Sequence, residues 1–175
     1  MPWFPLRGNV RVFQEVSLPQ LERFQPQALA GCVAALRLLA QESLRRSATW
    51  PSLTHGVLVL TAAGASPLYA VDRDLFWTAF QVPVWEQCRC WDGSLYAEEC
   101  AAREGLHLRG GSDVTPSHTI ILHERCACGD PTPRLIAVPD TVKSAVEGLA
   151  ATAPAGGDAI MTTTRTWRNR QTRQV

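Results

Sequence analysis

Four residues constrain this chain more than any others. Cys100-x6-His107 is followed, 18 residues later, by Cys126-x-Cys128-Gly129. Zinc takes four soft or borderline ligands in a tetrahedron, and three cysteines with one histidine are among its common structural sets. Two local ligand pairs, brought together by a loop and a hairpin, would assemble such a site. Gly105 loosens the backbone before His107, and Gly129 can supply a positive φ after the tight Cys126-Ala127-Cys128 turn. The spacing departs from the familiar C-x2-C knuckle, so the alternative is cysteines acting as small core hydrophobes. With four protein ligands a zinc has no open position, and its role would be to tie loops together rather than to catalyse.

The other cysteines and histidines read differently. Cys32 falls at an apolar position of a helical pattern and is assigned to the core. Cys88 and Cys90 alternate on a strand, so both face one side; packing and a second metal site fit equally well. His123 and His118 lie close to Cys126 in sequence, as hydrogen-bond partners of the ligands or as surface residues.

Length and composition set the frame. The 175 residues suit one ordinary domain, and 46% hydrophobic content allows a real core. The net charge of +1 provides no global field toward nucleic acid or a membrane surface. No apolar run is long enough to span a bilayer, and Met1-Pro2-Trp3-Phe4-Pro5-Leu6-Arg7 has no secretory pattern, so a cytoplasmic location is expected. Reduced, clustered cysteines there point to a metal more than to disulfides.

Along the chain, residues 10–25 read as an extended lead-in with a short helix at 18–24. A helix is expected over 26–46, with Leu29, Cys32, Val33, Leu36, Leu39 and Ala40 at helical spacing. Gly56-Val57-Leu58-Val59-Leu60-Thr61 reads as a buried strand. Asp72 caps a helix running to about Phe80, with Leu75, Phe76, Ala79 and Phe80 inward. Residues 82–90 and 94–100 form a hairpin around Trp91-Asp92-Gly93, whose Asp-Gly favours a type I′ turn. Further strands are expected at 119–123 and 134–138, and a last helix at about 140–151. Residues 152–175, rich in Ala, Gly, Pro and Thr with Arg165, Arg168, Arg170 and Arg173, read as a basic, disordered tail. The expectation is an α/β (or α+β) domain over 1–151, with a mixed sheet, flanking helices and a zinc-stabilised loop and hairpin region.

The stretch Leu95-Tyr96-Ala97-Glu98-Glu99-Cys100-Ala101-Ala102-Arg103-Glu104-Gly105-Leu106-His107-Leu108 resembles a segment of the phenylacetate–CoA ligase-like adenylate-forming enzymes, in which an acidic-Cys run leads to Gly-Leu-His. Cys126-Ala127-Cys128-Gly129-Asp130-Pro131-Thr132-Pro133-Arg134-Leu135 is similar to the family's Cys-x-Cys-Gly segment, and Phe80-Gln81-Val82-Pro83-Val84-Trp85-Glu86 to the strand entering its central motif. The resemblance spans about 75–134 and implies a zinc held by Cys100, His107, Cys126 and Cys128. The departures concern catalysis. Thr61-Ala62-Ala63-Gly64-Ala65-Ser66 lacks the family's phosphate-loop pattern, and Cys88-Arg89-Cys90-Trp91-Asp92 stands where Tyr-Gly-x-x-Glu is expected. Asp92 alone could stand for the magnesium-holding glutamate. Lys143, the sole lysine, has no lid-domain context.

Other chemistries fit less well. The deaminase pattern of His-x-Glu with Pro-Cys-x-x-Cys is not met by His123-Glu124 and Cys126-x-Cys128. A Cys100 nucleophile with His107 or His123 would exclude a zinc on the same thiolate. Glu98 and Glu99 point to opposite faces of a strand, which reads as a solvated edge rather than an acid/base pair. The functional expectation is a zinc-binding module, non-catalytic alone, acting through a protein partner, with Trp50, Trp85 and Trp91 as interface candidates. The alternatives are the small subunit of a split carboxylate-activating ligase and a globular protein without metal. Membrane and nucleic-acid partners are not indicated.

Overall fold

The computed structural model describes residues 10–13, 17–65, 68–110 and 119–137. The expected 140–151 helix, the 152–175 tail, His118 and Lys143 lie outside the described residues. The order of elements is α1 (Leu18–Phe24), β1 (Ala28–Gly31), α2 (Val33–Arg45), β2 (Gly56–Ala62), α3 (Ala70–Phe80), β3 (Val84–Arg89), β4 (Leu95–Glu99), β5 (Leu106–Leu108), β6 (Thr119–Leu122) and β7 (Arg134–Ala137). They build one mixed seven-stranded sheet in the order β1-β2-β3-β4-β5-β7-β6, an α+β fold.

Strands β1, β2 and β3 are parallel, and α2 and α3 are the crossovers that parallel neighbours require. The two helices pack on each other, so they cover the same face of the sheet. Leu36, Leu39, Ala40 and Ser43 form the buried stripe of α2 at i, i+3, i+4 and i+7, and meet Val57, Val59, Val84 and Phe76 in the larger core. Ser43 is buried because its Oγ accepts the Trp50 indole N–H at 2.7 Å, while that ring packs edge-on against Phe80. From β3 onward the sheet is antiparallel, and a smaller core gathers Cys88, Tyr96, Ala97, Leu106 and Leu135.

The lead-in helix, the strand at 56–61, the hairpin and the strands at 119–123 and 134–138 are found where the sequence places them. Five readings change. The helix expected from residue 26 begins only at Val33, because Ala28–Gly31 is a strand. Leu29 fits both periods, and pairing with Val57 of β2 wins over local helical propensity. Cys32 then becomes the exposed N-cap residue of α2 rather than a core residue. Asp72 is not the cap of α3. Tyr69 holds that position, and buried Asp72 accepts the Nε and NH2 protons of Arg37 at 2.9 and 2.7 Å, which ties α3 to α2.

The β3–β4 turn is not type I′. That turn needs positive φ at both Asp92 and Gly93, and Asp92 lacks it. The Gly93 N–H bonds Cys90 O at 2.9 Å with Gly93 at φ 82°, and the Cys90 N–H bonds Ser94 O at 3.0 Å, a three-residue loop. Finally, β4 is an interior strand, so Glu99 does not sit on a solvated edge. It is buried against Arg73, while Glu98 on the opposite face pairs with Arg109.

Candidate metal centre

Register decides where the ligands stand. Cross-strand partners share a face, and Gln87 pairs with Glu98, Glu98 with His107, and His107 with Arg134. Val84 and Glu86, an odd number of residues from Gln87, face the helices. His107 therefore projects from the face that the helices leave uncovered. The chain reaches His107 through a hairpin: Cys100 follows the last residue of β4, Arg103 N–H closes a turn onto Cys100 O at 3.0 Å, and Gly105 at φ 116° sends the backbone into β5. Gly105 is required there twice over, because a Cβ would stand 2.6 Å from the Leu135 carbonyl oxygen. We expect Gly105→Ala to displace β5 from β7 and to destabilise the chain by about 2 kcal/mol or more, read as a lower denaturant midpoint.

Cys126 and Cys128 come from the loop between β6 and β7. Gly129, at φ 85°, closes their turn with a 2.9 Å bond from its N–H to Cys126 O. This loop lies across the face of His107. Cys128 Sγ is 3.3 Å from His107 Nε2, Cys100 Sγ is 3.6 Å from Cys126 Sγ, and all four ligand atoms fall within 4.8 Å of one another. Zn–S bonds of about 2.3 Å and Zn–N of about 2.0 Å at tetrahedral angles give edges of roughly 3.8 Å between sulfurs and 3.5 Å between sulfur and nitrogen. The spacing is that of a metal-binding tetrahedron, and the cysteines are free thiols rather than a disulfide pair.

The surroundings fix the histidine. The hydroxyl Oγ1 of Thr132 donates to Asp130 Oδ1 at 2.7 Å, which leaves it an acceptor for His107 Nδ1–H at 3.0 Å. Asp130 also accepts the Thr132 N–H at 2.9 Å and an Arg109 proton at 2.7 Å, and Arg109 Nε in turn bonds Glu98 at 2.9 Å. This relay places the proton on Nδ1 and turns the Nε2 lone pair toward the sulfurs, the arrangement that metal-bound histidines use. His107 is 0% exposed, so no water can replace the relay partner cheaply. Thr132→Val is expected to weaken metal affinity about 10- to 100-fold with the fold intact, as measured by chelator competition.

The thiols have unequal environments. Burial pushes the Cys126 thiol up to about 12, whereas the Asp130 backbone N–H on its sulfur, at 3.4 Å, pulls Cys128 down. Cys126 Sγ also lies 3.5 Å from Glu104 Oε2, as a thiol donor would. A bound metal dication would supply the charge that lets such a buried thiol ionise, and Arg134 pairs with Glu104 at 3.0 Å. Arg134 is itself only 4% exposed and lies beside a set whose net charge, with three thiolates and one dication, would be a single negative charge. The donor set fits zinc.

Among the described residues, these four are the grouping of three or more ligand-type side chains. Cys88 packs in the smaller core with Cys90 against it, and burial raises the Cys88 thiol. His123 is exposed, and the partners of the ligand shell are Thr132, Asp130, Glu104 and Arg134 instead. Asp130-Pro131-Thr132 did carry a sequence signal, since Asp two residues before Thr is an Asx-turn pattern. Asp92 lies in the exposed hairpin loop, where its carboxylate accepts the Ser94 N–H and hydroxyl at 2.9 and 2.6 Å. Trp50 and Trp85 are engaged, Trp85 beneath the Arg103 guanidinium, whereas Trp91 at the hairpin tip is 92% exposed. Among the described residues no helix is long and apolar enough to cross a membrane.

Sheet and cluster together define an α+β protein with a Cys3His candidate metal centre. No family model matches the chain, and no curated protein matches it.

Proposed function

We propose that this chain is a zinc-stabilised binding module in which Cys100, His107, Cys126 and Cys128 hold one structural zinc. The observation that carries the reading is the closed set of four ligand atoms within 4.8 Å, with the His107 Nε2 lone pair aimed by Thr132. Four protein ligands leave no coordination position for a substrate, so the metal serves to fasten the β6–β7 loop to the β4–β5 hairpin. Elemental analysis of untagged protein purified without chelator is expected to give about one zinc per chain, and none in His107→Ala. Metal-free protein with six titratable thiols would overturn the assignment.

Kinship with the adenylate-forming enzymes belongs to the same reading, supported by the motifs at 95–108 and 126–135. On this reading the chain is a zinc-bearing relative without the ATP chemistry, and no pyrophosphate exchange with aromatic acids is expected from it alone. Exchange above background would favour the split-ligase alternative. Among the described residues a protein partner would find Trp91 as the most exposed tryptophan.

A further inference from the structure

We propose that Cys100 and Cys126 form a reversible oxidation site, at which a peroxide converts two metal ligands into an intrachain disulfide and expels the zinc. The inference rests on the zinc reading above and concerns the regulation of that site.

Three observations carry it. The two sulfurs are 3.6 Å apart, so a bond of about 2.05 Å requires them to close by about 1.5 Å, within the reach of side-chain torsions. Their loops are also joined by contacts that do not involve the metal. Glu104 Oε2 accepts the Ala127 N–H at 3.3 Å and an Arg134 Nη1 proton at 3.0 Å, and the same Nη1 donates to the Glu104 carbonyl oxygen at 2.9 Å. These bonds keep the sulfurs neighbours after the metal leaves. Access is divided as well: Cys100 is partly exposed while Cys126 is buried. Of these two an oxidant meets Cys100 first, and Cys126 is placed to resolve it, while the more exposed Cys128 is the competing thiol.

The chemistry balances with hydrogen peroxide as oxidant. The Cys100 thiolate attacks the O–O bond, which breaks to give Cys100 sulfenic acid and, after protonation, one water. The Cys126 thiolate then attacks that sulfur; the S–S bond forms, the S–O bond breaks, and a second water leaves after protonation. Two thiolates have lost two electrons, and the peroxide has taken them with two protons. The zinc is left with His107 and Cys128, too few ligands to retain it against a chelator. A thiol reductant with added zinc restores the original site. Cys88, buried in the smaller core, is shielded from the same oxidant.

The test uses the full, zinc-loaded chain treated with hydrogen peroxide beside a chromogenic chelator, followed by peptide mapping. The expected result is release of close to one equivalent of zinc in step with a Cys100–Cys126 linked peptide, reversed by thiol and zinc. Cys32→Ser and Cys90→Ser variants should behave as the parent. Zinc retained under peroxide overturns the proposal, as does release with Cys100 driven to sulfinic acid or linked to Cys128. If the purified chain holds no zinc, the metal reading fails separately. The peptide map of the oxidised chain then decides the pair alone: the Cys100–Cys126 link supports it and any other product overturns it.

Discussion

Replacing Cys126 by serine is expected to release the zinc and to cost about 4 kcal/mol, the linkage stabilisation of a ligand present at 1,000 times its dissociation constant. For a domain of this size that is a fall in Tm of roughly 8–16 °C. Cys126 is the informative ligand because it is buried at the centre of the second loop and touches both Cys100 and Glu104. Chelator added to the parent protein should reproduce the shift, and chelator added to the variant should do nothing further. Thermal melts with and without chelator, alongside metal content, check this. A variant that melts like the parent and keeps its metal would remove Cys126 from the site.

A second large effect is expected on the other face of the sheet. Arg73 of α3 reaches down to Glu86 at 3.2 Å and Glu99 at 3.0 Å, carboxylates whose side chains are 3% and 4% exposed. Glu86 is held further by Thr61 Oγ1 and the Leu68 N–H, and Glu99 accepts the Glu86 N–H. Removing one partner of a buried pair leaves an uncompensated charge, so Arg73→Ala should cost about 3–5 kcal/mol. Glu86→Gln keeps the acceptor for Thr61 and Leu68, leaves Arg73 its bond to Glu99, and should cost only about 1 kcal/mol.

The pH dependence has a definite sign. Burial already raises the Glu86 carboxyl above its ordinary value, and Arg73 opposes that rise. Without Arg73 the rise is larger, and the native state binds a proton that the unfolded state has lost. Stability of Arg73→Ala therefore increases as pH falls from neutrality toward the ordinary carboxyl range, and the penalty is gone below it. Denaturant midpoints of parent and variant across that window would show the gap closing. A gap independent of pH would mean that packing, not charge, is the loss.

The grouping of Cys100, His107, Cys126 and Cys128 was legible because metal chemistry leaves few residue types to choose from, and they are close in sequence within each pair. The strong apolar periods of β2, α2 and α3 were legible for the same local reason. What escaped was set at a distance. Ala28-Leu29-Ala30-Gly31 becomes a strand only because β2 lies beside it, a partner more than twenty residues away. Asp72 looks like a cap until Arg37 is brought to it across two helices. Three-residue β5 is too short to show a period at all, yet it carries His107. The relay through Thr132, Asp130 and Arg109 follows from the fold, since no local pattern ties Arg109 to Asp130.

Strand β3 gives Val84 to the larger core and Cys88 to the smaller, one core centred on the parallel strands and the other on the antiparallel strands. Such a division makes two cooperative units of unequal endurance. The helical half is closed by its own packing, while the half beyond β3 has a small core and short strands and, with the proposed zinc, would lean on a metal tie. Opening fluctuations in the absence of metal should thus begin at β5–β7 and stop at β3. The same chain can then lose order at the site without losing the parallel half of the sheet that would receive it again.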